Sequence, residues 1–349
     1  MTTAGTAGNW RRRLLPVAVI VSLLALPAVI AQQLWLPTTA GVFMLGALPA
    51  TIAVVTVGPR RAWQIAVAAA GAGTLAASFT GDALLGALLI TGLAAYAGYS
   101  ARYGNQSPIL FIPIVVSFIV ISPPTLTGTS GQVITGSEYS AIVGISLLIG
   151  GCWAALLGWA LARGFQRAPV EPVPQKVAIG YAIALASSSG LATFIAAQFF
   201  PGSTGAWAVL TILLVMKPRS TDMWRTARHR VGGTILGAVV AALIVMGLTA
   251  LELPRVTWEL TLGAVFLTLA LSVLIVRPYW QFVTLLTPAI ILLKSSGQDE
   301  LDLDIQRVAM TLIGTLVALT FAVAVREVNS KIDGVDSSSA VTHSGPGRP

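Results

Sequence analysis

Apolar runs of about 20 residues recur from one end of this 349-residue chain to the other, and no single motif restricts the fold as much. Each run is long enough to cross a hydrocarbon layer roughly 30 Å thick as a helix. Such a helix satisfies its own backbone groups where no water is present to do so. Charge is correspondingly scarce: 10% of residues are charged and 55% hydrophobic, against about 25% charged in a soluble domain. So little charge cannot cover a globular surface of this size. The class is an all-α polytopic membrane protein.

Twelve helices are expected, at 14–31, 37–57, 63–80, 83–100, 108–122, 139–162, 177–199, 205–216, 231–250, 257–276, 279–294 and 304–325. With the N-terminus inside, the cytoplasmic segments hold Arg11, Arg12, Arg13, Arg60, Arg61, Arg102, Arg163, Arg167, Lys176, Lys217, Arg219, Arg225, Arg228, Arg230, Arg277, Arg326, Lys331 and Arg348. The outer segments hold Arg255, Lys294 and Arg307. Eighteen basic residues against three is the bias of the positive-inside rule, and one misplaced helix would swap every later loop. The net charge of +8 therefore reads as orientation, not as a nucleic-acid surface. Arg11–Arg13 followed by an apolar stretch also resembles a cleavable signal peptide. It is kept as a span because an internal repeat needs it as the counterpart of 177–199.

That repeat shows as matched pairs in preserved order. Pro59-Arg60 answers Pro218-Arg219, Gly73-Thr74 answers Gly233-Thr234, and Leu85-Gly86-Ala87 with Thr91 answers Leu262-Gly263-Ala264 with Thr268. Arg102-Tyr103 and then Pro113 answer Arg277, Tyr279 and Pro288, and Leu148-Ile149-Gly150 answers Leu312-Ile313-Gly314. Six spans per half is an even number, so the two six-helix repeats are parallel, as in some secondary transporters. The expected organisation is a cytoplasmic N-terminus at 1–13, a first membrane half at 14–162, a proline-rich cytoplasmic linker at 163–176, a second half at 177–325 and a disordered cytoplasmic tail at 326–349.

The second half carries the more distinctive sequence. Trp207-Ala-Val-Leu-Thr-Ile-Leu-Leu-Val-Met-Lys217-Pro218 is followed by Arg225, Arg228 and Arg230-Val-Gly-Gly-Thr234-Ile-Leu-Gly237. Tyr279 leading to Thr287-Pro288, and Arg307 leading to Gly314, complete the pattern. This resembles the fusaric-acid-resistance (FUSC-like), or aromatic acid exporter, family, best over 177–325 and more faintly over 14–162. The resemblance implies an inner-membrane exporter of aromatic or other organic acids or amphiphilic toxic compounds, driven by the proton gradient. Larger members carry sizeable cytoplasmic domains, which this chain replaces with a short linker and tail.

Candidate sites follow from chemistry and each has a plainer counterpart. The basic stretch from Lys217 to Arg230, including Arg225 and Arg228, either concentrates organic anions or simply sets topology against anionic headgroups. Arg230 and Lys217, nearest the membrane, are the first substrate-binding candidates, because Arg clamps a carboxylate through two hydrogen bonds. Arg102 and Arg277 come next. Trp207 and Tyr279 offer stacking faces to an aromatic acid or belong to an interfacial belt. Pro113 and Pro288 break helices, Thr284 and Thr287 line the helix at 279–294, and Gly233 with Gly237 permits close packing. Ser187-Ser188-Ser189-Gly190 is a further polar stretch at membrane depth. Glu259, Asp82, Glu138 and Arg307 fall near outer ends, so the sequence displays no midplane carboxylate for proton transfer.

One cysteine, Cys152, and two histidines, His229 and His343, exclude a disulfide framework and a cysteine or histidine metal cluster. No cofactor, no metal and no catalytic residues are expected. The expected partners are the lipid bilayer, a small organic anion and, left open, further copies of the chain. Three readings remain open: a secondary exporter, a passive anion channel, and a non-transporting scaffold for envelope assembly.

Overall fold

The computed structural model describes residues 39–128, 131–161, 171–202, 204–251, 255–274, 279–294 and 305–324, with Leu23, Leu26, Pro27 and Ile30. Over these residues the chain is helical, and the one β-pairing among them is an isolated bridge between Thr127 and Val133. The first half contains α1 (Ala40–Thr56), α2 (Pro59–Ser78), α3 (Ala83–Tyr99), α4 (Gln106–Ile109 and Phe111–Ile121) and α5 (Gly136–Leu161). The second contains α6 (Gln175–Phe199), α7 (Ala206–Val215), α8 (Ser220–Ala250), α9 (Arg255–Leu274) and α10 (Tyr279–Lys294), followed by α11 (Ile305–Ala324). Among the described residues five helices are long and apolar enough to cross a membrane: α3 with its extension to Tyr103, α5, α6, the Asp222–Ala250 part of α8, and α11. The chain is a multi-pass membrane protein. The helix expected at 14–31 lies outside the described residues except at four positions, as do the termini and most of the linker.

Local sequence explains the boundaries. α2 opens where Gly58 takes a φ of 100° and Pro59 occupies the first helical position, where its missing N–H costs nothing. Asp82 caps α3 by accepting from the Leu85 N–H at 3.0 Å. Two expectations are corrected. The basic stretch is not a turn: α8 begins at Ser220, not near 231, so most of the stretch forms its first three turns. Asp222 in that first turn favours an early start through the helix dipole, which a search for apolar runs overlooks. Nor does α4 break at Pro113. The interruption falls at Leu110, and Pro113 sits in the first turn of the segment that follows.

The core is centred on α4, where Ile114, Val115, Val116, Ile119 and Ile121 are fully buried. α4 touches α2 and α3 of the first half and α6 and α7 of the second, so it joins the halves. The other junction is α3 against α6. A Cβ at Gly98 would strike the Ala182 backbone, and one at Gly190 would strike the Thr91 hydroxyl. Small residues let helix backbones approach closely where burial from water supplies no driving force.

Contacts distinguish the two ends of the bundle. At the first end Arg61 donates to Asn105 Oδ1 at 2.9 Å, the Val173 N–H donates to the Ala101 carbonyl at 3.3 Å, and Arg219 meets Glu171 at 2.7 Å. At the second end the Gly202 N–H donates to the Ile121 carbonyl at 2.8 Å, and the Thr204 hydroxyl reaches Gln306 at 3.3 Å. The basic segments around Arg61, Arg102 and Arg219 therefore share the first end.

Candidate functional site: buried charge in the second half

α8 carries its cations on its first turns and becomes apolar beyond them. Arg230 is its eleventh residue, about 15 Å along the axis at 1.5 Å per residue. It is only 4% exposed, and its guanidinium donates to the Tyr279 hydroxyl at 3.2 Å. Tyr279 opens α10, and the glycines of α8 bring that helix near. A Cβ at Gly233 would lie 2.8 Å from the Trp280 carbonyl, and one at Gly237 2.6 Å from the Thr287 Cβ. Arg230, Gly233 and Gly237 fall on one helical face. The packing face of α8 thus sets Arg230 beside Tyr279.

The other cations of the stretch divide. Arg225 and Arg228 are exposed, so Arg230 is not joined by them in the interior. Arg219, also exposed, pairs with Glu171, whose hydrogen bond and charge raise its pKa. Lys217 lies in the extended segment after α7, which the Tyr181 hydroxyl fixes by donating to the Met216 carbonyl at 3.2 Å. Burial lowers the Lys217 pKa and the nearby Asp222 charge opposes that shift.

The remaining candidates lie elsewhere. Arg102 stacks over the rings of Tyr99 and Tyr103, at 5.2 and 4.8 Å from their centroids, and donates to the Tyr99 hydroxyl. Arg277 lies outside the described residues. Thr287 is fully buried against Gly237, with its hydroxyl donating to the Val283 carbonyl at 2.9 Å, while Thr284 donates to the Trp280 carbonyl. Both hydroxyl protons are thus turned back onto their own helix. Pro288 lies inside α10 against Gly237. Ser188 and Ser189 are buried and donate to the Ala184 and Leu185 carbonyls.

Trp207 does not join the Arg230 group. It stands near the start of α7, about 13 Å from Met216 at the helical rise. It is 8% exposed, meets Phe118 of α4 edge-on at 5.1 Å, and carries the Arg307 guanidinium 4.1 Å above its ring. Arg307, third in α11, is 6% exposed, and Glu259 on α9 is 3% exposed. Sequence reasoning set both near outer ends and missed their burial. Helical spacing held the signal. Arg307, Thr311, Gly314, Thr315 and Ala318 form one buried stripe, and Glu259, Gly263 and Ala270 another.

Helices long and apolar enough to cross a membrane, with arginine and glutamate side chains buried within the bundle, define an integral membrane protein with buried charged groups. Residues 191–321 match the family described as fusaric acid resistance protein-like, the stretch in which the resemblance to that family is strongest. Arg230, Glu259 and Arg307 all fall within the match. No curated protein and no solved structure matches the chain.

Proposed function

We propose that this chain is an inner-membrane secondary transporter that exports aromatic or other organic acids, with 177–325 as its transporting half and its basic end in the cytoplasm. The observation that carries the reading is the placement of buried charge. Among the described residues the buried charged side chains are Arg230, Glu259 and Arg307, whereas the buried polar side chains of the first half are serines and threonines. A charge at membrane depth is costly, and such residues mark ion and substrate pathways. Their concentration within the family-matched segment supports transport over a scaffold role.

Roles follow from chemistry. Arg230, with Tyr279 beside it, receives the carboxylate from the cytoplasmic end. Arg307 on Trp207 offers the same pairing of cation and aromatic face nearer the far end, where the anion leaves. Glu259, the buried carboxylate, carries the coupled proton. The test is Glu259→Gln in inverted membrane vesicles, with uptake of radiolabelled benzoate supplied outside. The variant is expected to retain benzoate binding but to lose stimulation of transport by an imposed pH gradient. Full stimulation in the variant would remove Glu259 from the coupling step.

The arrangement as twelve helices in two parallel halves is part of this proposal. It is supported by Gly150 of α5 and Gly314 of α11, where an added Cβ would strike the carbonyl oxygens of Phe43 on α1 and Ala208 on α7 respectively. The matched prolines give less support. Gly233 packs on Trp280 and Val283, ahead of Pro288 in the chain, while its counterpart Gly73 faces Leu147 and Ile119, and Ile119 follows Pro113.

A further inference from the structure

A groove of about 560 Å³ runs along the seam where α3 of the first half meets α6 of the second. Ala95, Ala182 and Ala186 form its floor, between Tyr96 and Tyr99 on α3 and Ile179 and Ile183 on α6. Tyr96 and Ile183 are 63% and 60% exposed, so the groove opens on the side of the bundle. Thr91 and Ser187 lie where it reaches the middle of both helices. Their hydroxyls donate to the Ala87 and Ile183 carbonyls at 2.8 and 2.7 Å, so both protons are turned back onto the helices. From Thr91 to Tyr99 the groove is about 12 Å long at the helical rise. One leaflet of a hydrocarbon layer roughly 30 Å thick is about 15 Å deep. Both helices are long and apolar enough to cross that layer, so the groove has the length and the surroundings of a single acyl chain.

At the first end of the bundle the groove meets a cation from each half. Arg102, three residues past Tyr99, donates to the Tyr99 hydroxyl and lies over the rings of Tyr99 and Tyr103. Among the described residues that hydroxyl is its one hydrogen-bond partner, and no carboxylate pairs with it. Lys176 is exposed and precedes Ile179 by one turn and Ile183 by two, which sets it on the groove side of α6. The Val173 N–H donates to the Ala101 carbonyl at 3.3 Å and so holds the approach to α6 beside the segment that carries Arg102. No acidic side chain lines the groove. Glu171, the carboxylate before Lys176 in the chain, is engaged by Arg219.

We propose that the groove holds one acyl chain of an anionic phospholipid whose phosphate sits between Arg102 and Lys176. The chain fills the apolar channel, and the phosphate accepts from the guanidinium and the ammonium. Tyr99 and Tyr103 then lie at headgroup level, where aromatic side chains with a polar tip belong, and basic pockets between membrane helices recognise anionic head groups. A zwitterionic lipid offers the same chain, but its own ammonium offsets the attraction. A second copy seated on the groove in the same orientation would bring like-charged ends together, which is costly. The groove lies wholly outside the family-matched stretch.

The test is native mass spectrometry of the delipidated full-length protein, titrated with dioleoyl phosphatidylglycerol or dioleoyl phosphatidylcholine. Each basic residue beside an anionic headgroup is worth about fivefold in affinity. The wild type is therefore expected to hold one phosphatidylglycerol roughly 25-fold more tightly than phosphatidylcholine. Replacing both cations, Arg102→Gln with Lys176→Gln, removes most of that preference. Arg60→Gln, which takes the same charge from the start of α2, keeps it. Ala95→Phe fills the groove, leaves both cations in place and weakens binding of both lipids. The preference is a ratio measured on one folded species, so loss of fold cannot imitate its loss. Equal affinity for the two lipids in the wild type, a preference that survives loss of both cations, or lipid binding untouched by Ala95→Phe would each overturn the proposal. So would a dimer that Ala95→Phe dissolves, which would give the groove to a second copy.

Discussion

Arg230→Gln separates a substrate site from a topology signal. The side chain is 4% exposed and donates to Tyr279 at 3.2 Å, so its charge acts where water is thin. Glutamine keeps a donor and much of the length but removes the charge. A charged hydrogen bond to a carboxylate contributes about 1.5–3 kcal/mol, which corresponds to a roughly 10- to 150-fold rise in the benzoate concentration giving half-maximal transport. Arg225→Gln and Arg228→Gln remove the same charge from exposed positions of the same helix. Their effect should stay within about twofold and fade with salt, because exposed charges are screened. The assay is initial uptake into inverted vesicles over a benzoate series, normalised to folded protein in the membrane. If all three variants behave alike, Arg230 contributes only to orientation and the site assignment is wrong.

Burial that lowers the Lys217 pKa makes the folded chain bind fewer protons than the unfolded one between its folded value and the ordinary 10.5, so stability rises with pH across that window. Lys217→Met should therefore raise the melting temperature at pH 7, with the advantage shrinking as pH approaches 10.5. At Gly237 a Cβ would meet the Thr284 carbonyl at 2.7 Å and Thr287 Cβ at 2.6 Å, so Gly237→Val should cost about 1–3 kcal/mol by overpacking. Gly232→Ala, which meets nothing within 4 Å, should stabilise by about 0.5–1 kcal/mol, and melting of the purified variants checks both. In a Cys152→Ser background, Gln132→Cys at the second end should react with an impermeant thiol reagent in intact cells and Glu171→Cys at the first should not; the reverse pattern would invert the orientation.

The sequence displayed the helices because a membrane helix advertises itself by length and apolarity. α6 and α7 fall within two residues of their expected bounds, and α10 coincides with its own. It misplaced the start of α8, because Ser220 to Arg230 is helical without being apolar. The site was less legible for a different reason. Burial of a cation depends on the neighbouring helix, and nothing in the stretch around Arg230 announces that Tyr279 lies opposite while Arg225 and Arg228 face outward. Glu259 and Arg307 stand near helix ends, fifth in α9 and third in α11, as counting along the chain placed them, but that count says nothing of their burial. Their true setting is visible only when their helical faces are traced through Gly263 and Gly314 to the surfaces those faces cover. The groove between α3 and α6 was invisible from sequence, since its two walls come from different halves of the chain.

The most direct test of transport by the second half uses the purified full-length protein in proteoliposomes with radiolabelled benzoate inside or outside and an imposed pH gradient. The account predicts saturable benzoate flux, faster with the gradient than without it, and slowed at limiting benzoate by Arg230→Gln. Flux no greater than that of protein-free liposomes, for benzoate and for a panel of related aromatic acids, would contradict it.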